Sequence, residues 1–362
     1  MKKLFLTALL GCGLSAFAAD PYFDQATKYV DFGGETLSYH NTTAISAELN
    51  SQLPEISMGF CKDNKSAVLA SDISKLLLRL LDLPSFRAVA ASSKQIAPNV
   101  FVFKQAVIFD PATKSILVNP SNQNMMLAWQ NLPADTRLAL EIDLNIPHAW
   151  NRIKSEIAAS GNQDIQKLLT ALDELKNSGV DLDQILNSAT GRFSLLVTGS
   201  NLHDLNIRVV IPDQNDLISS TLKPVLPPRP GSSTFEIIQA GRTIQIVYAE
   251  KSIVVVTDPK LLAAPAQTLG SLPQFQQYAK QLPDSGCNYF IMNMPQDIMD
   301  FINLLKPELH LDLKPFSFVA IGSKIPGGEK LTIASDFSLV QMQMLWMLKP
   351  IKMLQQAGVF AE

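Results

Sequence analysis

The sequence predicts an α+β fold built of repeated strand-helix-strand units that form largely antiparallel sheets covered by helices. Three observations carry this expectation. Apolar and polar residues alternate along several short runs, apolar residues recur three and four apart along others, and similar blocks return along the chain.

The first segment predicts export. Met1, Lys2 and Lys3 make a short basic start, an uncharged apolar run covers Leu4 to Leu14, and Ala16-Phe17-Ala18 gives the small-x-small pattern of a signal-peptidase site. Residues 1–18 are assigned to a signal peptide, and the expected address is periplasmic or extracellular. The competing reading makes Leu9-Leu10-Gly11-Cys12 a lipobox with Cys12 as a lipidated first residue, against which stand the bulky Leu10 and the short apolar core before it. No later run has the roughly 20 apolar residues of a membrane span. The most apolar, Phe337 to Leu348, is interrupted by Gln341 and Gln343 and stops at Lys349-Pro350.

With 47% hydrophobic and 17% charged residues, the chain can bury a large core and is too apolar for disorder. A net charge of −3, with no cluster of Lys or Arg, lacks the electrostatic footprint of a nucleic-acid binder.

The elements follow in order. Thr36 to His40 reads as a strand, Thr43 to Leu53 as a helix, and Ile73, Leu76, Leu77 and Leu80 mark the face of another helix. Phe86 to Lys94, Phe101 to Gln105 and Ser115 to Val118 read as strands. After Leu132-Pro133-Ala134-Asp135, Leu138, Leu140, Ile142 and Leu144 fall on one face and Arg137, Ala139, Glu141 and Asp143 on the other, a strand with one buried side. A helix follows from about His148, and Ile165, Leu168, Leu169 and Leu172 mark a further one. Phe193 to Ser200 and Leu205 to Ile211 are strands. Residues 224–233, with four prolines, predict an extended loop introducing the strands Thr243 to Tyr248 and Ser252 to Thr257. Asp258-Pro259 reads as a cap with a first-turn proline, starting a helix at Lys260. Cys287 to Met294, a helix from about Gln296, Phe316 to Lys324 and Lys330 to Ala334 complete the series.

Blocks recur within this series. Phe86 to Lys94 and Phe316 to Lys324 share Phe, Val, Ala, Ser and Lys in the same spacing, and Phe193 to Ser200 is a third copy. Leu132-Pro133-Ala134-Asp135 and Leu282-Pro283-Asp284 each lead into a strand and then a helix. The chain therefore divides into an amino-terminal unit (19–131), a middle unit with inserted strands (132–281) and a carboxy-terminal unit (282–362). Leu132 to Thr136, Asn177 to Leu182 and Ser271 to Phe275 resemble a group of exported bacterial proteins of unknown function built from such units. The resemblance covers mainly residues 132–305 and implies no catalytic residues.

Residue chemistry points the same way. His40, His148, His203 and His310 never fall at the i, i+4 spacing of a zinc helix. Glu141 and Asp143 share a strand face, which would suit an acid/base pair, but the repeat favours a solvated face, since their counterparts 150 residues on are Ile291 and Asn293. Gly199-Ser200 and Gly322-Ser323 lack the Gly-x-Ser-x-Gly elbow, and Gly327-Gly328 reads as a hairpin turn. No catalytic, cofactor-binding or metal residue is assigned, and no cofactor is expected. Cys61 and Cys287 are the two cysteines left after signal removal and the candidates for a disulfide. Val340, Met344, Met347 and Ile351 share one helical face and are the candidate lining for an apolar ligand. The expectation is a non-enzymatic exported protein acting by binding or assembly on an unidentified protein or apolar ligand; the alternatives are a carrier of a lipid-like ligand and an enzyme with an unrecognised site.

Overall fold

The computed structural model describes residues 20–338 apart from 60, 62, 120–122, 180, 202–203, 240–241, 298 and 301–314. A short helix α1 (Phe23–Thr27) precedes strand β1 (Thr36–Asn41), helices α2 (Thr42–Gly59) and α3 (Asn64–Leu81), and the hairpin of β2 (Phe86–Ala97) and β3 (Val100–Phe109). A loop carrying β4 (Met125–Met126) leads to β5 (Thr136–Asn145), helices α4 (Ile146–Ala158), α5 (Gln163–Asn177) and α6 (Leu182–Ser188), then β6 (Thr190–Thr198) and β7 (Asn206–Pro212). Helix α7 (Leu217–Leu222) and the proline-rich segment bring the chain to β8 (Thr234–Gln239), β9 (Arg242–Ala249) and β10 (Ser252–Val256). After α8 (Pro273–Ala279) come β11 (Ser285–Gly286), β12 (Asn288–Met294), β13 (Phe316–Ile325) and β14 (Gly328–Ser335).

The strands form one 12-stranded sheet in the order β1-β2-β3-β14-β13-β12-β5-β6-β7-β10-β9-β8, every neighbouring pair antiparallel, while β11 pairs with β4. A mixed α/β architecture with an antiparallel sheet is thus present, as one continuous sheet. The last strands of the chain lie between the first three and the middle three.

Local chemistry sets the element ends. Asp63, Asn145, Asn162 and Asp181 each accept a backbone N–H from the first turn of the helix they precede, satisfying donors that have no partner within the helix. Helix α3 ends where Asp82 turns left-handed at φ 47 and donates its N–H to the Leu78 carbonyl. The β13–β14 hairpin turns at Gly327, whose φ of 71 is open to glycine at no steric cost. Two expected elements do not form. The helix starting at Lys260 is a single 3-10 turn, Pro259–Leu262, because Pro265 cannot continue a hydrogen-bonded helix and restrains the residue before it. Ser115 to Val118 is a turn, not a strand: Ile116 donates its N–H to the Leu80 carbonyl and packs against the cluster of Leu76, Leu80, Ile157 and Ile165. Helix α2 also extends past Leu53 to Gly59, passing through Pro54.

The two faces of the sheet are buried differently. On one, Ala139, Leu196, Tyr289, Ile291, Val319, Ile321 and Ala334 form the main core with Leu127, Trp129 and Leu132 before β5 and with Leu269, Phe275, Tyr278 and Leu282 around α8. At the β1 end of the same face, Tyr39, Ala88, Ala90 and Ile108 pack with Ala26 and Val30. Helices α3, α4 and α5 bury Leu76, Leu80, Ile157 and Ile165 in a third cluster, which holds no strand residue.

Candidate functional site

The site is the other face of the sheet. Since side chains alternate between faces and paired residues share one, the register fixes which residues align across the strands. Starting at Phe103, the row continues through Ile333, Ala320, Phe290, Leu140, Leu195, Val209, Val255 and Ile246 to Phe235. Every strand from β3 to β8 contributes one residue, and every one is apolar. Beside it runs a second row: Phe318 faces Met292, Met292 faces Leu138, and Leu138 faces Val197.

Burial singles these rows out. Apart from Ala320, the residues of the first row are half-buried, and none belongs to a core cluster of the described residues. On the opposite face, the corresponding positions in β13, β12, β5 and β6 are Val319, Ile291, Ala139 and Leu196, none more than 2% exposed. Phe290, Phe316, Phe318 and Phe337 meet ring to ring on the half-buried side, with centroids 5.3 to 6.5 Å apart, at geometries that favour aromatic contacts. Such a surface offers van der Waals contact and removal of apolar area from water. It offers few groups for acid–base chemistry.

The polar residues mostly serve the fold. Glu141 pairs with Arg192 at 3.2 Å, and the same guanidinium donates to the Cys287 carbonyl at 3.0 Å. Burial, followed by the neighbouring Glu141 carboxylate, pushes the Tyr289 hydroxyl well above its ordinary range. Asp143 faces Arg192 across the β5–β6 ladder and accepts an Asn119 side-chain N–H at its backbone carbonyl. Ser200 donates to Asp204 and Ser323 to the Ser285 carbonyl, so both are loop fasteners. The buried Tyr278 hydroxyl lies 2.9 Å from Ser317 Oγ, and Gln274 donates to Tyr278, Ser317 and Asp336. Burial raises the Tyr278 pKa to about 12.

Of the expected site residues, Cys61 and Cys287 are not bridged. Cys61 follows α2 and its thiol donates to the Ser57 carbonyl, whereas Cys287 lies buried in front of β12 with its thiol toward Asn124; each is held by a different element. Burial raises the Cys287 thiol pKa. Val340, Met344, Met347 and Ile351 lie outside the described residues, as do His203 and His310. His40 lies on β1, and the His148 backbone N–H receives the Asn145 cap. Among the described residues no group of His, Cys, Asp and Glu is placed to hold a metal ion, and no helix is long and apolar enough to cross a membrane.

Sequence reading reached part of the site, since Leu138 to Leu144 and the stretch around Phe290 were legible as apolar strand faces. The register brings them together, setting Phe290 against Leu140. It missed Phe103, Ile333 and Phe235 as members of the same row, for which the available signal was alternation within each strand. Surface clefts of about 480, 260 and 250 Å³ also occur. The third is lined by Arg208, Lys260, Asp135 and Asp258, opposed charges with no shared ligand geometry; Arg208 Nη1 donates to the Leu261 carbonyl. Comparison of the chain with protein-family models, characterised proteins and solved structures gives no match in any of the three.

Proposed function

We propose that this is an exported, non-enzymatic binding protein whose ligand is an apolar, lipid-like chain held along the half-buried face of the 12-stranded sheet. One observation carries the reading: an uninterrupted apolar row from Phe103 to Phe235 lies outside every core cluster of the described residues, while on the reverse face the corresponding residues of β13, β12, β5 and β6 are fully buried. Contiguous apolar surface left outside the core commonly marks a binding site. Apolar side chains also remain exposed on the helices, among them Ile45 and Leu49 on α2, Ile73 and Leu77 on α3 and Leu168 on α5.

The reading includes three related units. Each supplies a first strand, helices or an intervening segment, and two further strands in antiparallel order: β1-β2-β3, β5-β6-β7 and β12-β13-β14. The Phe86, Phe193 and Phe316 blocks all lie in the second strand of their unit, consistent with common descent of the units. Export rests on the amino-terminal sequence pattern. The likeness to exported proteins built of such units agrees with it.

The test is native mass spectrometry of the gently purified protein followed by solvent extraction. The expected result is a released apolar molecule, together with saturable uptake of a fluorescent fatty acid by the extracted protein. Uptake should change little between low and high salt, because burial of apolar area is not screened by ions as charge pairing is. If nothing can be extracted and no fatty acid is taken up, the reading fails.

A further inference from the structure

We propose that the free edge of β8 docks a second copy of this chain, extending the sheet across a two-fold axis. Among the described residues, strand β8 ends the sheet, with β9 on one side and no strand on the other. Tyr248 donates its N–H to the Ser233 carbonyl, so by the alternation of an antiparallel ladder Phe235 and Ile237 bond to β9, while Thr234, Glu236 and Ile238 turn their backbone groups outward. The proline-rich loop occupies the first of these. Arg229 donates its N–H to the Thr234 carbonyl, and Thr234 donates its own N–H to Ser232 Oγ. Glu236 and Ile238 remain, and no described residue bonds their outward N–H and carbonyl groups.

Side chains at this edge match the exposed backbone. Ile238 is 76% and Ile237 37% exposed, and Lys and Pro, the residues that usually guard such an edge, are absent from β8. Glu236 already pairs with Arg229 and accepts from Gln245, so its charge is compensated before any partner arrives.

These free groups are complementary to themselves in one register. An axis through Ile237 sets Glu236 against Ile238 of the other copy, twice, and uses each outward group. It also places Ile237 beside its own counterpart and continues the apolar row of one copy into the next. An axis through Glu236 would oppose two glutamates and require Thr234, whose groups are taken. Closed two-fold pairing gives a dimer; pairing β8 with the far edge at β1 would give an open filament.

Ile237 would then form a non-hydrogen-bonded pair with itself, with Cα atoms about 4.5 Å apart, within disulfide range. In a Cys61→Ser background, Ile237→Cys should oxidise almost completely to a covalent dimer on a non-reducing gel. Ile238→Cys, whose copies would lie about 8 Å apart, should crosslink at least tenfold less. By sedimentation, the unmodified protein should be a dimer. Ile238→Pro, which removes only an outward N–H, should weaken dimerisation at least tenfold with an unchanged circular dichroism spectrum; if it fails to fold, Ile238→Lys gives the same readout. A monomer at all concentrations, a dimer that survives both substitutions, assembly into filaments, or equal crosslinking at 237 and 238 would overturn the proposal.

Discussion

Tyr278 shows how a single buried hydroxyl ties the main core to the sheet. Its ring lies 5.5 Å from Phe275 at the edge-to-face angle of a favourable aromatic pair, and its hydroxyl joins Ser317 on β13. Tyr278→Phe keeps the packing but leaves Ser317 and Gln274 short of a partner, which is expected to cost about 1–2 kcal/mol in denaturant unfolding. The same residue makes stability depend on alkaline pH. Burial raises its folded pKa to about 12 from an ordinary 10.0, so the folded state favours the neutral hydroxyl. That contribution is fully present below pH 10 and is lost as pH rises toward 12, a fall on the order of 2–3 kcal/mol. Urea titrations across this range should show the decline in the native chain and a smaller one in Tyr278→Phe. An equal decline in both would place its origin elsewhere.

At the scale of elements, the β13–β14 hairpin depends on a residue without a side chain. Gly327 has φ 71, and an added Cβ would also approach the Gln25 side-chain amide, which can swing aside. Gly327→Ala is therefore expected to destabilise by about 1–2 kcal/mol, the cost of a left-handed backbone for an L-residue. The proposed ligand face makes a contrasting prediction for β12. Phe290 is half-buried, whereas Ile291 beside it is fully buried in the main core. Ile291→Ala should cost about 2–5 kcal/mol and leave fatty-acid uptake intact once folded. Phe290→Ser should cost less stability and reduce uptake severalfold. If the two substitutions have the same profile, the faces do not differ in the way proposed.

Across the whole molecule, order along the chain and order across the sheet diverge. Strands β12, β13 and β14 come last but lie between β3 and β5. A fragment ending before β12 would leave the edges of β3 and β5 unpaired, both lined with apolar residues, and such edges template aggregation. Residues 20–281 expressed alone should aggregate or melt without a cooperative transition by circular dichroism, while the complete chain should give a sharp transition. A soluble fragment with native-like cooperative melting would show that the C-terminal strands are dispensable.

The sequence by itself determined most of the long strands and the inward face of several of them, but not β8, α6 or α8. Alternation from Leu138 to Leu144 and the glycine turn between β13 and β14 are local, because each rests on the pleat or on backbone sterics. Where local chemistry was misread, at Ser115 to Val118 and after Pro259, a contact with α3 in one case and a downstream proline in the other had the stronger influence. Only the tertiary structure decided that Cys61 and Cys287 stay apart, that one sheet contains every unit, and that Phe103, Phe290 and Phe235 stand in a single row. Those outcomes depend on which strand pairs with which. Alternation specifies a strand's inward face but not its neighbour, since any apolar face fits another about equally well until the whole sheet is assembled.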